Sequence, residues 1–195
     1  MMDRSRLAAD WWERFSASRR GLVVMFAWAV AEATVWPVIP DALLVLMAAG
    51  SRQAFPAVLA TAVLGSALGG VALYGYASAQ PSAALAALPR LPLVSDRTIE
   101  RAGDLLTERG TEAFLIQPVS GIPYKVVAVL AAARSMDPQH VLPLSIAART
   151  LRMTVAGVLA ALLASRCRPF VRDRFLILVS SYLLLFGYGW WLTQR

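Results

Sequence analysis

Two apolar stretches of this chain, residues 21–50 and 111–133, are each interrupted by a pair of prolines: Pro37 and Pro40 in the first, Pro118 and Pro123 in the second. Proline has no amide hydrogen to donate and its ring collides with the preceding turn, so a helix does not run straight through two of them. The first stretch is also about thirty residues long, more than the about twenty that one simple crossing needs. Each stretch therefore predicts a re-entrant helical hairpin. In the second, Ser120-Gly121 between the prolines supplies a flexible turn. Backbone groups freed at such a break are tolerated at membrane depth only where they are buried in protein or line a polar cavity.

Composition agrees with a membrane setting. The chain is 58% hydrophobic with a mean hydropathy of +0.58, more apolar surface than a soluble domain of this size hides in one core. Its net charge of +7 is carried by arginines lying between and at the ends of the apolar stretches. That distribution reads as membrane orientation and not as a nucleic-acid patch. A single cysteine, Cys167, rules out a disulfide framework or a cysteine zinc site within one chain. The only histidine, His140, follows Asp137 and Pro138 at an expected helix start, an incidental position. No Gly-rich phosphate loop, G-x-S-x-G or H-E-x-x-H occurs, and no spacing suggests a Ser-His-Asp triad, so the expectation is not an enzyme, with no cofactor and no metal.

Along the chain, residues 1–20 mix Arg4, Arg6, Arg14, Arg19 and Arg20 with Leu7, Trp11, Trp12 and Phe15, the pattern of an amphipathic helix at a membrane surface. Ala29-Val30-Ala31 imitates a signal-peptide cleavage site, but the apolar pattern resumes at once through Gly50, so residues 21–50 are expected to stay as one membrane unit. Residues 56–79 predict a transmembrane helix, with Gly65, Gly69 and Gly70 permitting close packing on one face, within the chain or in a homo-oligomer. A polar section follows. Its residues 95–109 repeat Asp96, Glu100, Asp104 and Glu108 every four positions, with Ile99, Ala102 and Leu106 turned the other way, as in a surface helix. After the second hairpin, 111–133, which opens with Glu112, come a transmembrane helix at 141–165 and a C-terminal one at 175–193 ending near Trp190 and Trp191. The expected fold is an all-α integral membrane protein whose order of hairpin, span, surface helix, hairpin, span forms an inverted repeat, the design in which transporters place a substrate site where broken helices meet. Arg4 to Arg20, Arg52 and the cluster Arg166, Arg168, Arg172 and Arg174 favour a cytoplasmic side for those segments, leaving Arg90, Arg97, Arg101 and Arg109 outside.

Five ionisable side chains fall inside the apolar segments: Glu32, Asp41, Lys125, Arg149 and Arg152. Each costs about 2.5–3.5 kcal/mol at the centre of a membrane helix, so they call for partners or water. Two acids and three bases could simply form buried salt bridges; alternatively they line a polar cavity. Asp41, directly after Pro40, is placed to cap the amides of the returning half-helix. Lys125, two residues after Pro123, is placed to receive a phosphate or carboxylate. Arg149 and Arg152 are three apart and share a helix face, the spacing of an anion clamp. Glu32 or Asp41 is the candidate for exchanging a proton in a transport cycle.

The motifs E-A-T-V-W-P-V-I-P-D at 32–41, Q-P-V-S-G-I-P-Y-K-V at 117–126 and A-R-T-L-R at 148–152 together resemble the DedA family of bacterial membrane proteins (the VTT or SNARE-associated domain group), particularly its shorter YqaA-like branch. The resemblance covers about residues 21–165. It implies paired re-entrant hairpins, a multi-pass protein of the bacterial cytoplasmic membrane, and translocation of a lipid or lipid carrier such as undecaprenyl phosphate or a phospholipid, linked to the proton-motive force. By position Glu32 and Asp41 are similar to the family's acids flanking the first break, and Arg149 and Arg152 to its arginine pair. Lys125 departs from the more usual arginine of G-x-x-R, and Glu108-Arg109-Gly110 replaces an aromatic-glycine pair. A small-solute or ion transporter and a structural membrane-integrity factor are the alternatives.

Overall fold

A computed structural model of the 195-residue chain describes residues 2–37, 40–51 and 53–166, together with 173, 174, 177, 180, 181 and 184. Trp190, Trp191, Cys167, Arg52, Arg168 and Arg172, and most of the expected C-terminal helix at 175–193, lie outside the described residues. The described chain is all-helical: α1 (Met2–Ser16), α2 (Arg19–Thr34), α3 (Pro40–Gly50), α4 (Phe55–Ala79), α5 (Pro81–Ala87), α6 (Asp96–Arg109), α7 (Ala113–Ser120), α8 (Tyr124–Ala133) and α9 (Pro138–Arg166).

Local chemistry sets the boundaries. Ser18 separates α1 from α2 by accepting the Gly21 amide at 3.1 Å and donating its own hydroxyl to the Phe15 carbonyl at 2.7 Å. The first stretch breaks after Thr34, just before Pro37, and resumes at Pro40, where a missing amide hydrogen costs nothing at a helix start. The second breaks at Gly121, whose φ of +73° is left-handed and suits glycine, and restarts after the extended Pro123. The polar section after α4 holds α5 and one 3-10 turn at Leu88–Arg90 ahead of α6, because Pro81 suits a first helical turn and the alanines after it are strong helix formers. In α6, Ser95 caps the Thr98 amide, Ala102 and Leu106 are buried, and the acidic stripe faces outward.

Among the described residues two helices, α4 and the 138–163 part of α9, are long and apolar enough to cross a membrane, about 38 Å for α4 at the α-helical rise. Only 39% and 28% of their most apolar windows are buried. The remainder presents Leu64, Leu68 and Val71 on α4 and Leu151, Val155, Leu159 and Leu163 on α9 to the outside. A core helix of a soluble protein buries such residues; a helix in lipid does not need to.

Inside, the glycines of α4 have a definite partner. A Cβ on Gly65 would sit 2.6 Å from the Phe26 carbonyl, and one on Gly69 would sit 2.8 Å from both Ala33 Cβ and the Val30 carbonyl. Gly65 and Gly69 therefore seat α2 directly on α4, which assigns to packing within one chain the face that the sequence left open to either use. Two apolar cores result. One surrounds α3, with Met25, Leu44, Met47, Val58 and Met153. The other surrounds α8, with Tyr74, Leu88, Leu106, Phe114 and the run Val126 to Val129. α4 contributes its first half to one core and its second half to the other.

Candidate functional site

Between the two cores the side chains turn polar. The C-terminal end of α2 brings Glu32, the start of α3 brings Asp41, the middle of α4 brings Ser66 and Gly70, the start of α8 brings Tyr124 and Lys125, and the middle of α9 brings Arg149 and Arg152. The prolines explain why charge collects here: each break ends one helix and starts another at the same level, so Glu32, Asp41 and Lys125 flank free helix ends. A cavity of about 340 Å³ opens at this point, lined by Glu32, Lys125, Arg149, Arg152 and Tyr124 on its polar side. Pro37, Pro118, Gly121, Ile122 and Pro123 form much of the remaining wall. All five ionisable residues singled out in the sequence meet at this site.

Their pairing is uneven. Arg152 donates from Nη2 to Asp41 Oδ2 at 2.8 Å, an ion pair tying α9 to α3. Asp41 thus serves Arg152 and not the amides of α3, as its place after Pro40 had predicted; its second oxygen, Oδ1, is buried without a hydrogen-bond partner. A full guanidinium within reach outbids neutral amides for a carboxylate at this depth. Lys125 spans the two breaks: its ammonium donates to the carbonyl of Trp36 at 2.6 Å, just past the end of α2. A cation is favoured at that electronegative helix end.

Arg149 is 3% exposed and meets no carboxylate within ion-pairing distance among the described residues. Its Nη2 donates to the Ser66 carbonyl at 3.0 Å, and its guanidinium carbon lies 3.8 Å from the centroid of the Tyr124 ring. Stacking of a desolvated guanidinium on an aromatic face contributes about 2 kcal/mol. Nε and Nη1 are buried without hydrogen-bond partners, as are Glu32 Oε2, Ser66 Oγ and the Tyr124 hydroxyl. Glu32 itself lies within the electrostatic reach of Lys125, Arg149 and Arg152 without touching any of them closely. Buried polar atoms are normally satisfied, so several unsatisfied ones close together call for a polar partner such as water or a bound group.

Sequence reasoning missed Tyr124, Ser66 and Gly70. A tyrosine and a serine in apolar helices read as core, and the only signal was their spacing from Lys125 and from the Gly65–Gly69 pair. His140 sits away from the site, its Nδ1 2.9 Å from Asp137 Oδ2 at the exposed start of α9. Glu112 is exposed in a 3-10 turn ahead of α7. Among the described residues no cluster of histidine, cysteine and acidic side chains could hold a metal ion.

Fold and site define an all-helical protein with two helices able to cross a bilayer and a charged cavity between its helix breaks. Comparison with models of known families, with curated proteins and with solved structures finds no match for the chain.

Proposed function

We propose that this chain is a multi-pass transporter of the DedA type in the bacterial cytoplasmic membrane, moving a lipid or lipid carrier by its anionic head group. The observation that carries the reading is Arg149: a buried guanidinium with two nitrogens unpartnered, facing a cavity that also holds Lys125 and Glu32. Arg149 and Arg152, which line the cavity, stand at the middle of α9, so with that helix across the bilayer their level is near the midplane. A volume of about 340 Å³ accommodates a phosphate-bearing head group. The chains would remain in lipid while the head group crosses. In this reading α2–α3 and α7–α8 are re-entrant hairpins of an inverted repeat, α1 lies at the membrane surface, Lys125, Arg149 and Arg152 face the anion, and Glu32 is the partner for a proton or counter-ion.

The test is translocation in reconstituted vesicles, with fluorescent phospholipid and polyprenyl phosphate, under an imposed proton gradient. Movement by wild type that is lost in Glu32→Gln and Arg149→Ala supports the reading. A well-folded wild type that moves neither lipid overturns it in favour of a small-solute transporter or a structural role.

One observation favours a structural role for part of the constellation. Asp41 and Arg152 already pair at 2.8 Å, although Asp41 Oδ1 and Arg152 Nε are left without hydrogen-bond partners. Exchanging the two, Asp41→Arg with Arg152→Asp, should therefore preserve folding, as expected of a strut between α3 and α9.

A further inference from the structure

Tyr124 has two features that burial in a core does not explain. It is 2% exposed, yet its hydroxyl has no hydrogen-bond partner. Ser145 lies beside it, but the Ser145 hydroxyl donates to the Leu142 carbonyl at 3.0 Å and no aligned bond joins the two. A phenylalanine would fill the same space without the about 1–3 kcal/mol cost of an unsatisfied hydroxyl. The ring is held on both sides: the edge of Phe114 approaches at 6.2 Å between centroids and 62° between planes, and Arg149 covers the other side. Gly70 then brings the hydroxyl and the guanidinium together. A Cβ at that position would stand 2.6 Å from Arg149 Nη2 and 2.8 Å from the Tyr124 oxygen, so both groups press against the same bare point of α4. Tyr124 also lines the cavity with Arg149 and Lys125.

We infer that Tyr124 is a direct ligand of the anion that enters this cavity: its ring sets the plane of Arg149 and its hydroxyl donates to the same oxyanion that an unpartnered guanidinium nitrogen of Arg149 binds. This deepens the transporter reading and rests on it. The site so formed is a neutral donor beside a stacked guanidinium, backed by a glycine, suited to an oxyanion with several acceptor oxygens such as a phosphate group. Lys125 contributes field at longer range, since its ammonium is committed to the Trp36 carbonyl. Gly70 is a positioning residue: any side chain there displaces both donors at once.

The experiment is calorimetric binding to the full chain in nanodiscs of zwitterionic lipid. Two probes separate the source of the anion, inorganic phosphate and dioctanoyl phosphatidic acid. Tyr124→Phe keeps the ring and the Arg149 stack and is expected to weaken binding about 10-fold, with thermal stability unchanged or higher, because one charge-assisted hydrogen bond is lost and an unsatisfied group is removed. Tyr124→Leu removes the stack as well and should weaken binding about 100-fold. Gly70→Ala should abolish binding by moving both donors. Losses seen with either probe support the inference, and the probe that binds identifies a lipid head group or a free anion. Equal affinity of wild type and Tyr124→Phe, with wild type binding well, overturns the role of Tyr124 and leaves the transporter reading standing. Absence of binding of both probes to wild type overturns the anion site and this inference together. A drop in thermal stability in Tyr124→Phe, with affinity retained, assigns the hydroxyl to Ser145 and overturns the inference.

Discussion

On the α3 side of the cavity Arg152 meets a carboxylate; one turn earlier on α9, facing α4 and α8, Arg149 meets a backbone carbonyl, an aromatic face and no acid within ion-pairing distance among the described residues. The two arginines are three residues apart and the sequence treats them alike. Their surroundings do not. Arg152 has its charge balanced and its position fixed by Asp41, so it has less left to give an anion. Arg149 is held by neutral groups, with Glu32 only within electrostatic reach and not in contact, an arrangement that leaves it more open to an anion in a site of low dielectric. A protein that must bind and release an anion gains by holding its receptor with carbonyl and ring, because a permanent carboxylate partner would compete with every ligand.

The largest effect that would break this contrast is on Arg149. Replacement by alanine should reduce lipid movement at least about 100-fold, the loss of the charged donor to the ligand, while the protein still inserts and elutes as wild type; vesicle translocation and size exclusion together check this. The paired side should respond differently. Asp41→Asn leaves Arg152 with an unbalanced charge and, discounted for the partial exposure of Arg152, should destabilise by about 1–3 kcal/mol. A double-mutant cycle on Asp41 and Arg152 should show coupling of about 1–3 kcal/mol, read from thermal unfolding. An exchange of Glu32 and Arg149 should show no such rescue. If instead Glu32 and Arg149 couple as strongly as Asp41 and Arg152, the two sides are equivalent and the contrast is lost.

A third expectation concerns the scaffold beneath both sides. Gly69→Leu places a side chain where even a Cβ has only 2.8 Å to Ala33 Cβ and to the Val30 carbonyl, so α2 must retreat with Glu32. The expected cost is about 2–3 kcal/mol of stability from overpacking, measured by thermal unfolding in detergent. Smaller still is the effect of Lys125→Met on stability, under about 1 kcal/mol, since the lost bond is offset by the removal of a buried charge. Its signature is geometric. Spin labels at Val35→Cys and Val119→Cys, in a background with Cys167→Ser, should give a broader distance distribution once the ammonium no longer ties α8 to the Trp36 carbonyl; an unchanged distribution would make Lys125 a ligand alone.

The smallest effect lies away from both sides. Asp137, outside the crossing part of α9, accepts the Gln139 amide at 2.9 Å and faces His140, and these hold its carboxyl below the ordinary aspartate range. A carboxyl lowered in the folded state lends stability above its unfolded value and loses it as pH falls through the folded one. Asp137→Asn should remove that shallow acid-side slope and leave lipid movement untouched.

Much of the site was legible because charge is rare in apolar helices. Glu32, Asp41, Lys125, Arg149 and Arg152 stand out on cost alone, and Pro37, Pro40, Pro118, Gly121 and Pro123 mark the places where α2 ends at Thr34 and α3 starts at Pro40, and where α7 ends at Ser120 and α8 starts at Tyr124. What stayed hidden was pairing, since three bases and two acids admit several matchings and only geometry selects Arg152 for Asp41. Tyr124 was hidden for another reason. An aromatic residue beginning an apolar helix has the same hydropathy whether its hydroxyl is used or not, and Gly70 acts by the absence of a side chain. The helix at 81–87 was not singled out in the sequence, because prolines stand around it and only one of them, Pro81, occupies its first turn.

Two of the acceptors that hold the cations in place, the carbonyls of Ser66 and Trp36, belong to the main chain. An alanine scan would pass over both positions and report them as dispensable, because every residue brings its own carbonyl. Reaching them takes a change in the polymer itself: an ester in place of the amide that follows Ser66, or the one that follows Trp36, weakens the carbonyl as an acceptor and leaves every side chain in place. For the same reason these contacts are buffered against ordinary coding change, so drift at either position changes a side chain while the hold on the two cations persists.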